Sequence, residues 1–203
     1  MSIANRILLG FIAVIVLVIA LGALGLSQIG EVRSETSRIV TRDLAFVRQL
    51  TDVQTAQHQL EAATEADFAD HAMGVMGPTA DGASADWRRA EATAIQSLDQ
   101  AITQATNYQA TAITSDRAKA WGEISQSLTR ARAILTDLRQ RDLVAFQAMA
   151  RGDMTAGQSQ RESLLGPRAA FQQEMARASA SLDQAIELGQ RRVDTVYQQS
   201  RLF

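Results

Sequence analysis

The stretch SQIGEVRSETSRIVTRDLAFVRQLTDVQTAQHQL, residues 27–60, carries mostly apolar side chains at intervals of three and four residues. This spacing places them along one stripe of an α-helix, as in helices that pack into bundles. Asp43 and Gln57 interrupt the stripe with polar groups. The stripe comprises Ile29, Val32, Thr36, Ile39, Phe46, Leu50, Val53 and Leu60. The stretch therefore predicts a long amphipathic helix.

An uncharged apolar run, ILLGFIAVIVLVIALGALGL at residues 7–26, lies directly before this helix. As a helix, the run would rise about 30 Å, which matches the hydrocarbon core of a bilayer. Arg6 is the only charged side chain before it, so the positive-inside tendency places residues 1–6 in the cytoplasm. No proline separates the run from the stripe. We predict a transmembrane helix over 7–26 that continues into the amphipathic helix.

A cleaved signal peptide is the alternative for the same run, since Ala23-Leu24-Gly25 has the small-x-small form of a cleavage site. The apolar segment of a signal peptide is usually about 7–15 residues long. The run of residues 7–26 is longer, which favours a retained anchor.

Three more helical patterns follow the first. Glycines and Pro78 within residues 73–82 end the first helix near Ala72. Ser84 or Asp86 is suited to cap the next helix, and Ser115 the one after it. The predicted helices cover about 27–72, 84–111, 115–150 and 167–203.

The last helix has two alternative starts. Pro167 is suited to a first helical turn, which gives a start at 167. Alternatively, the helix begins near Thr155 and Pro167 bends it. The Gly152-Asp153 pair predicts a turn before it.

The fold class follows from these patterns and from a composition low in aromatic residues, at 5%. Heptad spacing selects helix crossings near about 20°, and short connections favour antiparallel neighbours. We predict an all-α fold in which one transmembrane helix continues into an antiparallel up-down-up-down four-helix bundle over residues 27–203. That order returns the chain to the membrane, so a second membrane helix is expected after Leu202-Phe203.

Several function classes have little support. The net charge of −2 gives no electrostatic case for nucleic acid, and the chain has no cysteine and only two histidines. His58, Glu61 and Glu65 share one helix face, but a solvated charge pattern is favoured over a metal site there. We expect no enzyme activity, no catalytic residue, no metal and no cofactor.

The order of segments is an apolar run followed by four helical patterns. Three local motifs accompany it: RILLGF at residues 6–11, RIVTRDLAFVRQL at 38–50 and RGD at 151–153. With them, the chain resembles the N-terminal part of bacterial methyl-accepting chemotaxis proteins that carry a four-helix-bundle ligand-binding domain. The resemblance implies a periplasmic bundle, anchored in the inner membrane, that forms a homodimer through the first helix. It also implies that ligand binding shifts the last helix relative to the first.

In such receptors the signal reaches cytoplasmic partners through a second membrane helix, a HAMP linker and a signalling hairpin, all outside this chain. The same bundle also precedes histidine kinases and diguanylate cyclases, so the output stays open. We expect a chemoreceptor sensory module that binds a small ligand, such as an organic acid, and signals by helix displacement. The alternative function is a membrane-tethered helical interaction or scaffold module.

Candidate ligand-binding residues follow from the resemblance and from local chemistry. Aspartate-type receptors of this family hold the ligand with arginines that would fall near residues 57–66, where this chain has His58 as its only basic side chain. Arg168 follows Pro167 at a helix start, where amide donors also favour anions. Arg161 is a weaker candidate of the same kind. The candidate set is Arg168, His58, Gln57 and Arg161.

Five polar residues occupy stripe positions where apolar side chains are expected. Polar groups on such a seam usually set helix register or face a dimer partner, and we favour this interpretation. Alternatively, Gln57, Thr64 and Asp142 line a distal pocket. Arg139 and Arg141 are expected to be ordinary solvated charges. The five residues are Asp43, Gln57, Thr64, Asp67 and Asp142.

Overall fold

The computed structural model describes residues 41–74 and 82–200, with side chains of 192 and 194–200 excepted. All regular structure in these two ranges is helical, which confirms the all-α prediction. Residues 41–72 form α1. The other helices are α2 (Ala85–Ala110), α3 (Ser115–Ala150), α4 (Met154–Ser163) and α5 (Leu165–Ser200).

The predicted transmembrane helix over 7–26 and the start of the first helix at 27 lie outside the described residues. Within the described ranges, no helix has both the length and the hydropathy that crossing a bilayer requires. Residues Asp43–Leu188 form one compact unit, and every contact discussed below lies within it. The described residues outside this unit, 41–42 and 189–200, are helical.

Aromatic side chains pack together where α1, α2 and α3 meet near residue 46. The ring centroids of Phe46 and Trp121 lie 4.9 Å apart, as do those of Tyr108 and Trp121. Such edge-to-face pairs add about 0.5–1.5 kcal/mol beyond their buried area. Phe46 is near the beginning of the described part of α1, Tyr108 near the end of α2, and Trp121 near the beginning of α3. The chain direction therefore alternates from helix to helix.

A second aromatic cluster lies where the opposite ends of the same helices meet. The ring of Phe146 on α3 lies 5.1 Å from that of Phe68 on α1 and 5.5 Å from that of Trp87 on α2. Gly82 lies beside it with a φ of 73°, and a Cβ there would come within 2.7 Å of the Phe146 carbonyl oxygen. Only glycine fits this position without strain.

The helix α5 runs antiparallel to both α1 and α3. Arg117, early in α3, contacts Ala185, late in α5. Arg130, further along α3, contacts Glu174, which is earlier in α5. On α1, Glu65 contacts Arg168 at the beginning of α5. Four long helices in alternating direction, with the short α4, therefore form the four-helix bundle that the stripes predict.

Of the predicted caps at the helix starts, the one for α2 is confirmed and the one for α3 is wrong. Ser84 caps α2, since its hydroxyl accepts a hydrogen bond from the Trp87 amide at 3.0 Å. The cap of α3 is Thr114 rather than the predicted Ser115, because the Thr114 hydroxyl accepts from the Arg117 amide and its backbone is extended. Thr and Ser cap by the same hydroxyl chemistry, so the sequence left the exact position ambiguous.

The region before Pro167 also differs from the predicted single start at 167. A separate helix, α4, ends at Ser163, and α5 begins at Leu165. Pro167 has no amide hydrogen to donate to the carbonyl four residues earlier, which is that of Ser163, so one continuous helix is interrupted there. The predicted turn at Gly152 is confirmed by its φ of 85°.

Candidate functional site

A cavity of about 30 Å³ lies among α1, α2, α3 and α5. A single water needs about 10–15 Å³ by a comparable measure, so the space accommodates about two water-sized groups. Its apolar lining consists of Leu60, Trp87, Leu135, Leu138 and Phe171. Its polar lining consists of Gln57, Glu61, Thr64, Arg139, Asp142 and Arg168.

One wall of this cavity is fixed by a satisfied hydrogen-bond chain. The indole Nε1 of Trp87 donates to the Thr64 hydroxyl at 3.0 Å. That hydroxyl in turn donates to the Leu60 carbonyl oxygen at 2.9 Å. Because Thr64 and Trp87 are fully buried, these bonds hold α1 and α2 at a defined separation beside the cavity.

Asp142 is the exceptional group of the lining. It is only 5% exposed, and its Oδ1 has no hydrogen-bond partner among the described residues. Burial raises the pKa of this carboxyl from 3.8 to about 7, against the opposing effect of Arg168 and with smaller raising effects from Glu65 and Asp67. A buried acceptor without a donor costs about 1–3 kcal/mol. The described residues thus leave this polar group unsatisfied.

Arg168 and Arg161 share one carboxylate. Arg168 Nη1, in the first turn of α5, donates to Glu65 Oε1 at 3.0 Å, and Arg161 of α4 donates to Glu65 Oε2. The Arg161 guanidinium also lies over the Phe68 ring, 5.2 Å from its centroid. Glu65 therefore links α1 to both α4 and α5, and an anionic ligand at either arginine would have to compete with it.

Gln57 and His58 both contact Glu61, which lines the cavity as Asp142 does. Gln57 Nε2 donates to Glu61 Oε1 at 2.9 Å, and His58 Nδ1 lies 3.5 Å from Glu61 Oε2. The His58 side chain is 71% exposed. Gln57 lines the cavity, whereas His58 lies on its outer side.

The structure brings the four candidate ligand-binding residues into one neighbourhood. Gln57 and Arg168 line the cavity, and His58 and Arg161 each contact a carboxylate that one of them also contacts. Whether they bind a ligand stays a prediction.

The polar residues on the stripes divide between two roles. Gln57, Thr64 and Asp142 line the same cavity, as the alternative interpretation has it, and whether this cavity binds a ligand stays a prediction. Asp67 instead accepts a hydrogen bond from the Ser84 amide at 2.8 Å, which fixes the start of α2. Asp43 forms a buried ion pair with Arg117 of the same chain.

Two residues of the site escaped the sequence analysis. Arg139, expected to be a solvated charge, has a half-exposed side chain but also lines the cavity, and its Nε lies 2.7 Å from Glu91 Oε1. Glu65 appeared only as part of a charge pattern with His58 and Glu61. Within the described ranges, no three His, Asp or Glu side chains are grouped to hold a metal ion. The partners of Arg139 and Glu65 are distant in sequence, and no local pattern indicates them.

The comparisons with known proteins are consistent with this architecture. Residues 1–138, more than half of the chain, match the family described as a four helix bundle sensory module for signal transduction. The match includes Gln57, Glu61 and Thr64 of the cavity lining and ends before Asp142. Comparisons with curated proteins and with solved structures found no match.

Proposed function

The chain belongs to the four-helix-bundle sensory modules for signal transduction of the methyl-accepting chemotaxis type, and we propose that it is the periplasmic sensor of a transmembrane chemoreceptor. In this proposal the apolar run of residues 7–26 anchors it in the bacterial inner membrane. The bundle then senses a small molecule and has no catalytic role.

The cavity at Asp142 is the observation that carries the ligand-binding proposal. It combines five apolar residues with six polar ones, and small-molecule sites likewise join apolar walls to convergent polar groups. Its Asp142 Oδ1 lacks a hydrogen-bond partner within the described part of the chain, so a ligand would supply what the fold does not. Known ligand pockets are about 300–1,000 Å³, so binding of a larger ligand requires the helices to separate.

This need for separation couples binding to signalling. The cavity is lined by α1 and α5 together, and Glu65 on α1 pairs with Arg168 on α5. A ligand that widens the cavity or displaces Glu65 would move α5 relative to α1. Its differential affinity for the two arrangements sets how far it shifts their populations. The proposed output is a displacement of α5 that a following membrane helix would receive.

The proposal includes a homodimer formed through α1. An exposed stripe runs along this helix at intervals of three and four residues: Leu44, Val47, Thr51, Gln54 and His58. Because the chain has no cysteine, a single Val47→Cys replacement is a clean probe. We expect oxidation of the full chain in membranes to cross-link Val47→Cys and not the matched α2 variant Gln100→Cys. Equal cross-linking of both variants would contradict this interface.

A ligand screen on the full chain in detergent micelles tests the sensing proposal. Thermal unfolding is followed with amino acids, organic acids and small amines, and isothermal calorimetry confirms each compound that shifts the transition. A specific ligand at about 100 times its dissociation constant stabilises by about 2.7 kcal/mol.

Two matched variants then locate the binding. Arg168→Ala should change the affinity for a ligand in the cavity, because it removes a lining guanidinium, whereas Arg177→Ala on the same helix should not, because Arg177 pairs with Glu174 and does not line the cavity. A complete absence of stabilising compounds would contradict small-molecule sensing. Equal loss of affinity in both variants would contradict this location.

A further inference from the structure

The charge around the cavity favours one class of ligand group. Each guanidinium there already lies within 4 Å of a carboxylate: Arg139 of Glu91, and both Arg161 and Arg168 of Glu65. The carboxyl groups that line the cavity, pair with these arginines or act electrostatically on Asp142 outnumber the three guanidiniums. They are Glu61, Glu65, Asp67, Glu91 and Asp142.

Resting on the proposed function, we infer that the cavity binds the ammonium group of a small amine, which donates a hydrogen bond to Asp142 Oδ1. That oxygen is the buried acceptor without a partner among the described residues. The ammonium group carries three donors and no acceptor, and the polar lining also offers the oxygens of Gln57, Glu61 and Thr64. Leu135, Leu138 and Phe171 supply an apolar surface for its carbon atoms.

The cavity volume sets the size of the first ligand to test. About 30 Å³ accommodates about two water-sized groups, which corresponds to the two non-hydrogen atoms of methylammonium. A ligand of that size is limited to millimolar affinity even when every contact is favourable. Larger amines would require displacement of α5, which is the signalling movement of the proposed function.

Proton release should accompany this binding. The pKa of Asp142 is about 7 because of burial, and a cation binds the ionised carboxylate. Binding should therefore strengthen by about tenfold between about pH 6 and pH 8, as the ionised fraction rises from about one tenth to about nine tenths.

Other charged groups around the cavity line it, act electrostatically on Asp142, or pair with one of these residues. They are Glu61, Glu65 and Asp67 on α1, Glu91 on α2, Arg139 on α3, Arg161 on α4 and Arg168 on α5. His58, which lies 3.5 Å from the lining carboxylate Glu61, is a second titratable group that must be distinguished from Asp142 in any pH dependence. A His58→Gln variant separates the two groups.

Calorimetric titration of the full chain in detergent micelles with methylammonium chloride tests the inference. The reference titrations use sodium chloride and sodium formate at equal ionic strength. We expect a millimolar dissociation constant near about pH 8, a tenfold weaker one near about pH 6, and no formate binding to the cavity. Asp142→Asn should abolish binding, whereas Asp137→Asn, on the exposed side of α3 beside Arg141, should leave it unchanged.

Three results would overturn the inference: no methylammonium binding at about 100 mM, undiminished binding to Asp142→Asn, or a pH dependence that disappears in His58→Gln. Asp142→Asn removes a buried charge and should fold, which circular dichroism checks. If the ligand screen finds a compound that binds Asp142→Asn normally, the proposed function stands and the ammonium inference fails. If neither screen nor titration shows binding, both fail.

Discussion

Two polar clusters inside the same bundle are built from the same kind of residue and differ in how completely they are satisfied. Near one end, Asp43 on α1 pairs with Arg117 on α3, and Arg117 also donates to the Ala185 carbonyl on α5 at 2.6 Å. Near the other end, Asp142 has a carboxylate oxygen without a partner among the described residues. The first cluster joins three helices, whereas the second faces a cavity.

This difference separates a structural role from a proposed sensing role. The Asp43 and Arg117 side chains are 7% and 5% exposed, and together they offer two charge-assisted hydrogen bonds of 2.7 and 3.3 Å. Such a bidentate pair fixes geometry as well as charge. A ligand gains little by entering a cluster whose groups are already paired, while Asp142 offers an acceptor that a ligand can use.

Loss of one partner from the Asp43–Arg117 pair should cause the largest change in the free energy of unfolding. Arg117→Met leaves the Asp43 carboxylate buried without its cation, which destabilises by about 3–5 kcal/mol. Urea unfolding of the full chain in detergent micelles measures the change. The double variant Asp43→Leu with Arg117→Met should recover most of the stability, because it removes both charges together. A double variant as unstable as the single one would contradict this account of the cluster.

The sequence could not distinguish these two clusters. Asp43 and Asp142 both replace apolar residues on a helical stripe, and the partner of Asp43 lies 74 residues away in sequence. The helices themselves were predictable, because periodicity and the Ser84 cap are local signals. Pro167 indicates a helix start or a bend, but no local signal places the interruption at Leu164. The contacts of Glu65 with Arg161 and Arg168, 96 and 103 residues away, also have no local signature.

Removal of the unsatisfied Asp142 carboxyl should stabilise the fold, in contrast to the loss of Arg117, by an amount that depends on pH. In the unfolded chain Asp142 loses its proton near pH 3.8, but in the folded chain it retains the proton up to about pH 7. Between these values the folded state binds more protons, so stability falls as pH rises and levels off above about pH 7. Since each pKa unit corresponds to about 1.4 kcal/mol, Asp142→Asn should stabilise by up to about 4 kcal/mol near about pH 8.

Unfolding midpoints of both proteins from about pH 4 to pH 8 measure this effect. Asp142→Asn should become more stable relative to the parent chain as pH rises over that range, because it lacks the contribution of Asp142. Parallel pH profiles would contradict this contribution of Asp142.

A smaller loss of stability is expected when the hydrogen bond between Thr64 and Trp87, beside the cavity, is removed. Thr64→Val conserves shape but leaves the Trp87 indole donor without its 3.0 Å acceptor, which costs about 1–3 kcal/mol. Thr93→Val is the matched control, since the Thr93 hydroxyl donates to the Arg89 carbonyl on an exposed helix face. Thermal unfolding compares the two variants. Equal losses would mean that the Trp87 hydrogen bond contributes nothing beyond an exposed threonine contact.

The most direct test of the contrast between the clusters is calorimetry with methylammonium chloride on two variants near about pH 8. The account predicts that Asp43→Leu with Arg117→Met binds with the dissociation constant of the parent chain, because the ligand does not use that cluster. It predicts no binding to Asp142→Asn. Normal binding to Asp142→Asn together with lost binding to the double variant would contradict the central claim that the unsatisfied cluster is the sensing site.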